Sequence, residues 1–497
     1  MSRDGVLRTP SRPGTVGLRS RRGTALITAT VLASLVAFVD ANLVNVAVPA
    51  IGESLHAGVA ELQWIVTGYL VTVAALLLLA GGLADEFGRR RMLGIGLGVM
   101  LIASLACAAA PNTATLIAAR LVQGVGGAIV VPSSLALLNG TLRPEDRARG
   151  IGVWAGIATL GTTLGPYAGG WLIDHGSWRW IFLLNVPLVL AAVIVLRALP
   201  ETRRTRSGDR FDVLGALLGV IGLGGVIVAL TAAPAAGWGS LVVVGPGLVG
   251  LVALGALAVA ERRATVPMVR PRMFRSQQFD GINAATVLLY GALAAAGYLV
   301  VLQCQFGLGY SATEAGAALI PESVVFLLVS PLAGALAIRI SPRWMMAVGI
   351  LVVAAGFCWL AAATRGAPYF VAILPGAVLW GLGIGLTVPP LTAGVLAAVD
   401  DSDLGQASAV NDAASRVGGV VVIALVPVLL GVGDSESLAA PLAQGYGTTM
   451  LVMAGLAVVA AGIVAVFVSG AQHRGAATLA VTPRLHSCAL PERSRAE

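Results

Sequence analysis

Five ionisable side chains lie inside long apolar segments of the sequence, and these residues are the best placed to do chemistry there. They are Asp40, Arg120, Glu322, Asp412 and Arg416. A charged side chain at the depth of a lipid bilayer costs on the order of 3 kcal/mol, so it usually faces a cavity or a charged partner. A carboxylate in that position can carry a proton or bind a cation. We therefore treat these five residues as candidate functional residues.

Asp40 lies near the middle of the apolar segment 26–50. About fourteen residues precede it in that segment, which is roughly 20 Å along a helix. We interpret Asp40 as a protonatable group that also meets a cationic substrate. The alternative is a structural salt bridge to an arginine such as Arg120. Arg120 itself either modulates a nearby acid or binds backbone carbonyls in a structural role.

Glu322 and the pair Asp412 and Arg416 lie in later segments. Glu322 follows Pro321, and proline removes a helical hydrogen bond and often marks a bend beside a cavity. Glu322 is therefore either a second carboxylate in such a cavity or an acid that reaches the membrane interface. Asp412 and Arg416 are four residues apart, a spacing that allows an ion pair on one helix. We favour a structural role for this pair, and a second gate is the alternative.

The composition predicts that these residues are carried by membrane-spanning helices. The 497 residues are 57% hydrophobic and 11% charged, with a mean hydropathy of +0.89, whereas soluble domains average about 25% charged. Apolar segments of about 20 residues, the length that crosses a bilayer, recur along the chain. Twelve spans remain an alternative if the two segments within 212–260 do not cross. The fourteen predicted spans are 26–50, 63–83, 92–110, 114–138, 150–172, 180–198, 212–231, 240–260, 282–304, 313–337, 344–364, 370–397, 409–431 and 447–469.

The positions of the arginines predict the orientation of these spans. With the N-terminus inside, about 28 arginines fall in cytoplasmic segments, whereas Arg179 and Arg365 fall outside. We therefore expect an all-α, multi-pass protein of the cell membrane with both termini in the cytoplasm. The predicted domains are a cytoplasmic tail (1–24), a six-helix bundle (25–200), loops with two extra helices (201–276), a second six-helix bundle (277–470) and a cytoplasmic tail (471–497).

Several other kinds of site have no support in the sequence. The chain contains no lysine, so it lacks the lysine of an ATP-binding P-loop. The strings "GVGG" (124–127) and "GLGIG" (381–385) lie inside apolar segments and are interpreted as helix-packing glycines. The histidines and cysteines show no metal-ligand spacing. The net charge of +8 comes from short arginine clusters between apolar segments, so we expect no nucleic-acid partner. From the missing motifs, we also expect no metal, no cofactor and no enzyme activity.

Two kinds of motif recur between and within the spans. "GGLADEFGRRR" (81–91) places small residues at a helix end and then arginines in a tight turn, and "PLAGALAIRISPR" (331–343) repeats this arrangement without the acid. The repetition suggests two related halves, as in many transporters. "GTTLGPYAGG" (161–170) has glycines four residues apart, which lets two helices approach closely. Pro166 in that stretch breaks one helical hydrogen bond.

These stretches resemble motifs of the major facilitator superfamily. "GGLADEFGRRR" is similar to its cytoplasmic loop motif, "RLVQGVGGA" (120–128) to its span-4 motif, and "GTTLGPYAGG" to its antiporter motif in span 5. "FVDANLVNVAVPAI" and "SWRWIFLLNVP" resemble motifs of its fourteen-span drug/proton antiporter branch. The resemblance implies two six-helix bundles with two extra central transmembrane helices.

The resemblance also implies roles for individual residues. Arg120 would assist proton transfer, and Asp40 and Glu322 match acidic positions of the family. In the cytoplasmic gate, Asp85 would meet the start of span 13. The expected gate residues are Gly82, Asp85, Gly88, Arg89 and Arg90. The residues of the antiporter motif are Gly161, Gly165, Pro166, Gly169 and Gly170.

The function implied by this resemblance is proton-coupled export of small lipophilic, cationic drugs or antibiotics by alternating access. Protonation of Asp40 or Glu322 from outside would displace the substrate, and release of the proton inside would reset the carrier. The expected partners are the substrate, protons and membrane lipid, and we expect a monomer. The alternatives are an exporter of one metabolite, such as a self-made antibiotic or an amino acid, a membrane receptor that does not transport, and an intramembrane enzyme.

Overall fold

Helices dominate the computed structural model, which describes residues 16–199, 201, 212–263, 270–336, 340–363, 368–400, 403–431 and 438–468. The predicted tails before residue 16 and after residue 468, and the loop 202–211, lie outside the described residues. The α-helices in the described ranges are α1 (Arg21–Leu55), α2 (Val59–Phe87), α3 (Arg89–Ala109), α4 (Thr113–Thr141), α5 (Pro144–Asp174), α6 (Arg179–Leu183), α7 (Asn185–Leu196), α8 (Val213–Ala236), α9 (Leu241–Arg263), α10 (Gln277–Leu302), α11 (Ala312–Ala317), α12 (Ile320–Leu336), α13 (Pro342–Ala361), α14 (Tyr369–Ala372), α15 (Leu374–Ala397), α16 (Leu404–Leu429) and α17 (Ala439–Phe467).

The all-α membrane fold predicted from the composition is confirmed. Each of the predicted spans coincides with one helix or with two consecutive helices. Twelve helical segments of the described chain are long and apolar enough to cross a membrane. α5 and α8 are not among the twelve, and the apolar part of α8, Leu217–Ala233, is shorter than the others. The count of fourteen spans therefore stays a prediction.

Polar side chains begin several of the long apolar helices, where the first backbone N–H groups have no partner within the helix. At the start of α4, the backbone N–H of Thr115 donates to Asn112 Oδ1 over 2.9 Å. At the start of α10, the backbone N–H of Phe279 donates to Ser276 Oγ over 3.3 Å. These two caps mark the residues at which α4 and α10 begin.

The helices pack in two groups, α1–α7 and α10–α17, with the hairpin α8–α9 between them in the chain. α1 packs against α4, α5 and α7, and α13 packs against α15 and α17. α8 packs against one helix of each group, α2 and α16. Leu223 and Ile227 of α8 form one apolar cluster with Val71 and Ala74 of α2 and Val420 of α16. The hairpin therefore lies against the seam between the two groups.

The two groups meet at one end of the bundle. We call it the Asp174 end, because α5 ends there, and we call the opposite end the Arg89 end, because α3 begins there. The largest apolar cluster contains residues of both groups, and its members from α1 and α2, such as Leu43 and Ile65, lie in the halves of those helices near the Asp174 end. A separate cluster near the Arg89 end consists of residues of the first group.

Candidate functional site

Asp40 of α1 lies inside the first helix group, where three side chains donate hydrogen bonds to its carboxylate. Arg120 Nη1 of α4 donates to Oδ2 over 2.5 Å. Gln123 Nε2 of α4 and Asn185 Nδ2 of α7 each donate to Oδ1 over 2.8 Å. The side chains of Asp40 and Arg120 are 2% and 1% exposed. Both carboxylate oxygens are therefore bound within the protein and shielded from solvent.

The two amides that bind Asp40 are held in turn by α3. Ser104 Oγ accepts hydrogen bonds from Gln123 Nε2 at 2.9 Å and from Asn185 Nδ2 at 3.1 Å. All three of these polar side chains are buried. The carbonyl oxygen Oδ1 of Asn185 has no hydrogen-bond partner in the described structure. The network connects α1, α3, α4 and α7 around one buried carboxylate.

The guanidinium of Arg120 is held on several sides. Its Nε donates to the backbone oxygen of Ile65 in α2 over 3.1 Å, and Nη1 also donates to Gln123 Oε1 over 2.8 Å. The guanidinium carbon lies 4.7 Å from the ring centre of Tyr69 and 6.0 Å from that of Phe182. A cation and an aromatic ring attract each other at these distances. Arg120 is therefore positioned by α2 and α6 as well as by Asp40.

The structure thus brings together Asp40 and Arg120 in the salt bridge that we considered as the alternative interpretation of Asp40. The partners named above all belong to the first helix group. Ser104, Gln123 and Asn185 were not among the residues predicted from the sequence. A signal was present, because each is a polar residue inside an apolar segment, but the partner of each could not be read from the local pattern.

Glu322 lies in the first turn of α12, in the second group, outside the Asp40 network. Its Oε2 accepts a hydrogen bond from Ser323 Oγ at 2.9 Å. The span that carries Glu322 is broken between α11 and α12, just before Pro321. Gly381 of α15 lies against this turn so closely that a Cβ would collide with the Glu322 carbonyl. The structure therefore fixes the backbone of Glu322 at a helix break.

The ion pair predicted on α16 is present. Arg416 Nε donates to Asp412 Oδ2 over 3.2 Å, and the two side chains are 24% and 50% exposed. Asp412 is more exposed than Asp40 or Glu322. The preceding residue, Asn411, donates to Thr286 Oγ1 of α10 over 2.9 Å. This part of α16 is therefore anchored to the second group while its carboxylate stays accessible.

The glycines of the span-5 motif face two different neighbours. Gly170 faces α11 of the second group, where a Cβ would collide with the backbone of Ala312. Pro166 contributes to the same contact, because its carbonyl lies against Gly316 of α11. The other three glycines pack against α1, and the facing pairs are Gly161 with Leu35, Gly165 with Val39, and Gly169 with Leu43.

The residues of the loop motif lie at the Arg89 end, where α2 ends and α3 begins. Gly82 is half-buried near the end of α2. Gly88 has a φ of 102°, in the left-handed region that favours glycine. Arg89 lies against Gly140 of α4. The side chain of Asp85 lies outside what the structure describes, so its expected contact with α16 stays a prediction.

Glu201 binds the start of α3. Its Oε1 and Oε2 accept hydrogen bonds from the backbone N–H groups of Arg90 and Arg91, both at 3.0 Å. A carboxylate at a helix N-terminus is favourable because the first N–H groups point outward there. Arg90 Nη2 also donates to the backbone oxygen of Arg197 over 3.2 Å. Glu201 was not predicted from the sequence, because it lies far from the motif in the chain.

A second charged contact at the Arg89 end joins the linker before α10 to the start of α16. Arg270 Nη1 donates to Asp403 Oδ1 over 2.7 Å, and Arg272 donates to both oxygens of Asp403 over 2.7 and 2.9 Å. The hydrogen bond and charge of Arg272 hold the pKa of Asp403 below its ordinary value. A cavity of about 540 Å³ lies beside this contact. Asp403 was not predicted from the sequence.

At the Asp174 end, Asp174 binds the start of α11 in the second group. Its Oδ1 accepts from the backbone N–H of Ala312 at 3.1 Å, and its Oδ2 accepts from the backbone N–H and the hydroxyl of Thr313 at 2.8 and 2.5 Å. Partial desolvation acts to raise the pKa of Asp174, but these hydrogen bonds outweigh it and lower the pKa below its ordinary value.

Two further side chains join the groups by hydrogen bonds near this end. Gln63 Nε2 of α2 donates to the backbone oxygen of Ala424 in α16 over 2.7 Å. Gln305 Nε2, just after α10, donates to the backbone oxygen of Val46 in α1 over 3.1 Å. Together with Asp174, they close the Asp174 end of the seam. Within the described ranges, no group of three or more His, Cys, Asp or Glu residues could hold a metal ion.

Comparison with known proteins places the sequence among membrane transporters. It matches a family model described as Major Facilitator Superfamily, over residues 30–301 and 282–487. It is 36% identical over 412 residues to the methylenomycin A resistance protein of Streptomyces coelicolor, a match that covers 82% of this chain and 85% of that protein. It is 32% identical over 437 residues to the tetracenomycin C resistance and export protein of Streptomyces glaucescens, covering 86% and 79% of the two chains.

The fold is also similar to a solved structure. The POT family transporter PepTSo superimposes with a TM-score of 0.67 and 13% sequence identity, over 89% of this chain and 97% of that one. At this identity, the similarity concerns the arrangement of helices and carries no information about the substrate.

Proposed function

Because the chain belongs to the Major Facilitator Superfamily, we propose that it is a proton-coupled antiporter that exports small lipophilic, cationic compounds across the cell membrane. It is related to resistance and export proteins that act on antibiotics. The carrier alternates between states in which its two helix groups separate at one end or at the other. It works as a monomer, and the proton gradient drives it without a cofactor or a covalent step.

The observation that supports proton coupling is the enclosed ion pair of Asp40 and Arg120. Protonation of Asp40 removes the negative charge opposite Arg120 and leaves a buried guanidinium without its counter-ion. A buried charge that loses its partner is strongly unfavourable. Protonation must therefore be accompanied by a movement of Arg120 and of the helices that hold it. In this way the binding of a proton is linked to a change of conformation.

A protonated Asp40 needs a hydrogen-bond acceptor for its new O–H group. The carbonyl oxygen of Asn185 is buried beside it and has no partner in the described structure. Rotation of the Asn185 amide would direct this oxygen toward Asp40. The network around Asp40 therefore contains a group that accommodates the neutral acid as well as groups that bind the carboxylate.

We propose that Asp40 carries the proton and that the substrate binds elsewhere. Both oxygens of Asp40 are bound by side chains of the first group, and the side chain is 2% exposed, so the carboxylate is not accessible to a substrate cation in this state. Glu322 and the half-exposed Asp412 are the candidate carboxylates for that contact. In the two-domain division that we propose, 25–200 and 277–470, these acids belong to the second bundle and Asp40 to the first.

The proposed orientation puts the Asp174 end outside and both termini in the cytoplasm. The arginines at 89–91, 143–149 and 262–275 lie at the Arg89 end of the helices that bear or adjoin them. Cytoplasmic loops carry an excess of arginine and lysine in membrane proteins. The state that closes the Asp174 end is then the one in which substrate enters from the cytoplasm.

The test is substrate-dependent proton movement in proteoliposomes. We expect Asp40→Asn to abolish the proton movement that substrate addition causes, because asparagine cannot titrate. Glu53→Gln is the matched control, since Glu53 is an exposed acid on the same helix. If Asp40→Asn transports with the same proton movement as the unmodified protein, Asp40 is not the carrier.

A dedicated exporter of one compound is the second candidate. It is favoured by the names of the two relatives, each of which refers to a single antibiotic. A panel of toxic compounds, applied to an efflux-deficient bacterium that expresses the protein, separates the two functions. Protection against many unrelated cations supports the multidrug exporter, and protection against one compound supports the dedicated exporter.

A further inference from the structure

At Asp174 and α11, the backbones of the two helix groups are in direct contact. Asp174 is the last residue of α5, in the first group, and α11 is the first helix of the second group's broken span. The carboxylate receives three hydrogen bonds from Ala312 and Thr313. Asp174 is exposed at this end of the bundle, so the contact is close to the aqueous phase.

The first N–H groups of α11 are shared between partners from the two groups. The N–H of Glu314 donates to Ser311 Oγ, and the N–H of Ser311 donates to Glu314 Oε2, so this pair caps the helix from within its own group. The N–H groups of Ala312 and Thr313 donate to Asp174 instead. Since these groups have no partner inside the helix, α11 is fully capped when the two groups are in contact.

The backbones of α5 and α11 approach each other through two glycines. A Cβ on Gly170 would collide with the carbonyl of Ala312, and a Cβ on Gly316 would collide with the carbonyl of Pro166. The carboxylate of Asp174 can reach the start of α11 because no side chains separate the helices here. Gly316 was not recognised from the sequence, because its role depends on α5.

α11 is also separated from the rest of its span. It ends at Ala317, and α12 begins at Ile320. The hydroxyl of Tyr369 donates to the backbone oxygen of Ala318 over 3.0 Å and so binds a carbonyl at the break. α11 is therefore a short unit whose N-terminus is held by the first group and whose C-terminus is held by the second.

We propose that Asp174 is a positioning residue for alternating access: by capping α11 from the opposite group, it holds the Asp174 end closed. This inference rests on the proposed transport cycle. When the groups separate at this end, the carboxylate and the two N–H groups of α11 exchange their mutual hydrogen bonds for water. The closed state is then favoured by a contact that exists only across the seam.

The test is a distance measurement that requires no substrate. Spin labels are attached at Ser54→Cys, near the end of α1, and at Ala440→Cys, near the start of α17, because both positions are exposed at the Asp174 end. Cys358 and Cys488 are replaced by serine, while Cys107 and Cys304 are buried. Double electron–electron resonance in nanodiscs measures the distance between the two labels. The ratio of the population with the long distance to the population with the short distance reports how far the Asp174 end is open.

We expect Asp174→Ala to raise this ratio about three- to tenfold, because a hydrogen bond of the usual net strength changes an equilibrium by a factor of about two to ten, and exposure to water weakens contacts of a charged group. Thr313→Val keeps the helix and removes the hydroxyl, so it should raise the ratio roughly twofold. In the double variant, Thr313→Val should add little to Asp174→Ala. Glu314→Gln is the matched control, because it alters the cap that lies within the second group.

An unchanged ratio in both Asp174→Ala and Thr313→Val overturns the proposal, and so does an equal rise in Glu314→Gln. Thr313→Val keeps the test decisive if Asp174→Ala does not fold. The measurement is independent of transport, so a failure of proton coupling in proteoliposomes would contradict the proposed function while leaving the distances to decide the role of Asp174.

Discussion

The carboxylate of Asp40 and the guanidinium of Arg120 form a salt bridge of 2.5 Å between side chains that are 2% and 1% exposed. The side-chain amides of Gln123 and Asn185 donate hydrogen bonds to the other carboxylate oxygen of Asp40. In such a pair, removal of one charge leaves the other buried without compensation. Protonation of Asp40 is therefore expected to disturb the packing of the four helices that hold this network.

The first prediction concerns the stability of this pair. Arg120→Gln leaves the Asp40 carboxylate buried without its counter-ion and should destabilise the protein by about 3–5 kcal/mol. The double variant Asp40→Asn, Arg120→Gln removes both charges and should recover most of the loss. Thermal unfolding in detergent, followed by tryptophan fluorescence, measures both effects. A double variant that is less stable than Arg120→Gln would contradict the prediction.

The second prediction concerns Asn185, which the sequence did not single out. Asn185→Leu removes a hydrogen bond to a charged group, which contributes about 1.5–3 kcal/mol, and it also removes the proposed acceptor for protonated Asp40. We expect lower thermal stability and fewer protons moved per substrate in proteoliposomes. The control is Asn42→Leu, because Asn42 bonds to Phe38 within its own helix. Equal effects of the two variants on proton movement would show that Asn185 has no special role.

The third prediction concerns the glycines of the seam. Gly170→Ala and Gly316→Ala each place a Cβ against the backbone of the opposite group, and a packed interior does not absorb such a collision without a shift. Over-packing of this kind typically costs about 1–3 kcal/mol, so we expect the population closed at the Asp174 end, and with it the transport rate, to fall by about tenfold.

The matched control for these variants is Gly156→Ala. Gly156 lies on the same helix as Gly170, and a Cβ there would meet nothing within 4 Å. Its transport rate and its spin-label distances should equal those of the unmodified protein. The packing argument is wrong if Gly156→Ala is as damaging as Gly170→Ala.

The fourth prediction concerns pH at the Asp174 end. Partial desolvation acts to raise the pKa of Asp174 in the closed state, but hydrogen bonds from Thr313 and Ala312 outweigh it and lower the pKa. Such a group stabilises the closed state fully above its ordinary pKa, and the stabilisation is lost as the pH falls through the lowered pKa. The spin-label distances should therefore stay constant down to about pH 5 and lengthen below about pH 3.9.

Two other titratable groups lie beside Asp174 and are controlled by substitution. Glu314 caps α11 from within the second group, and His175 stacks on Trp171. Glu314→Gln and His175→Gln should both keep the acid transition, whereas Asp174→Ala should abolish it. If the transition persists in Asp174→Ala, another group is responsible.

The helices of this protein could be predicted from local sequence. The predicted apolar segments 26–50 and 447–469 lie in α1 and α17. They could be predicted because a backbone in lipid must satisfy its hydrogen bonds within the helix. The boundaries of broken spans were not predictable in the same way. At the interruption between α11 and α12, the backbone oxygen of Ala318 is bound by Tyr369, which lies in another part of the chain.

The sequence by itself determined that Asp40 and Arg120 need partners, because a charge in an apolar span is costly. It also determined that the chain is a helical membrane protein related to drug exporters. Only the tertiary structure decided which partners meet. Asp40 and Arg120 are 80 positions apart, and Asp174 and Thr313 are 139 apart. Whether such side chains touch depends on how whole helices rotate and pack, which the residues around each one do not specify.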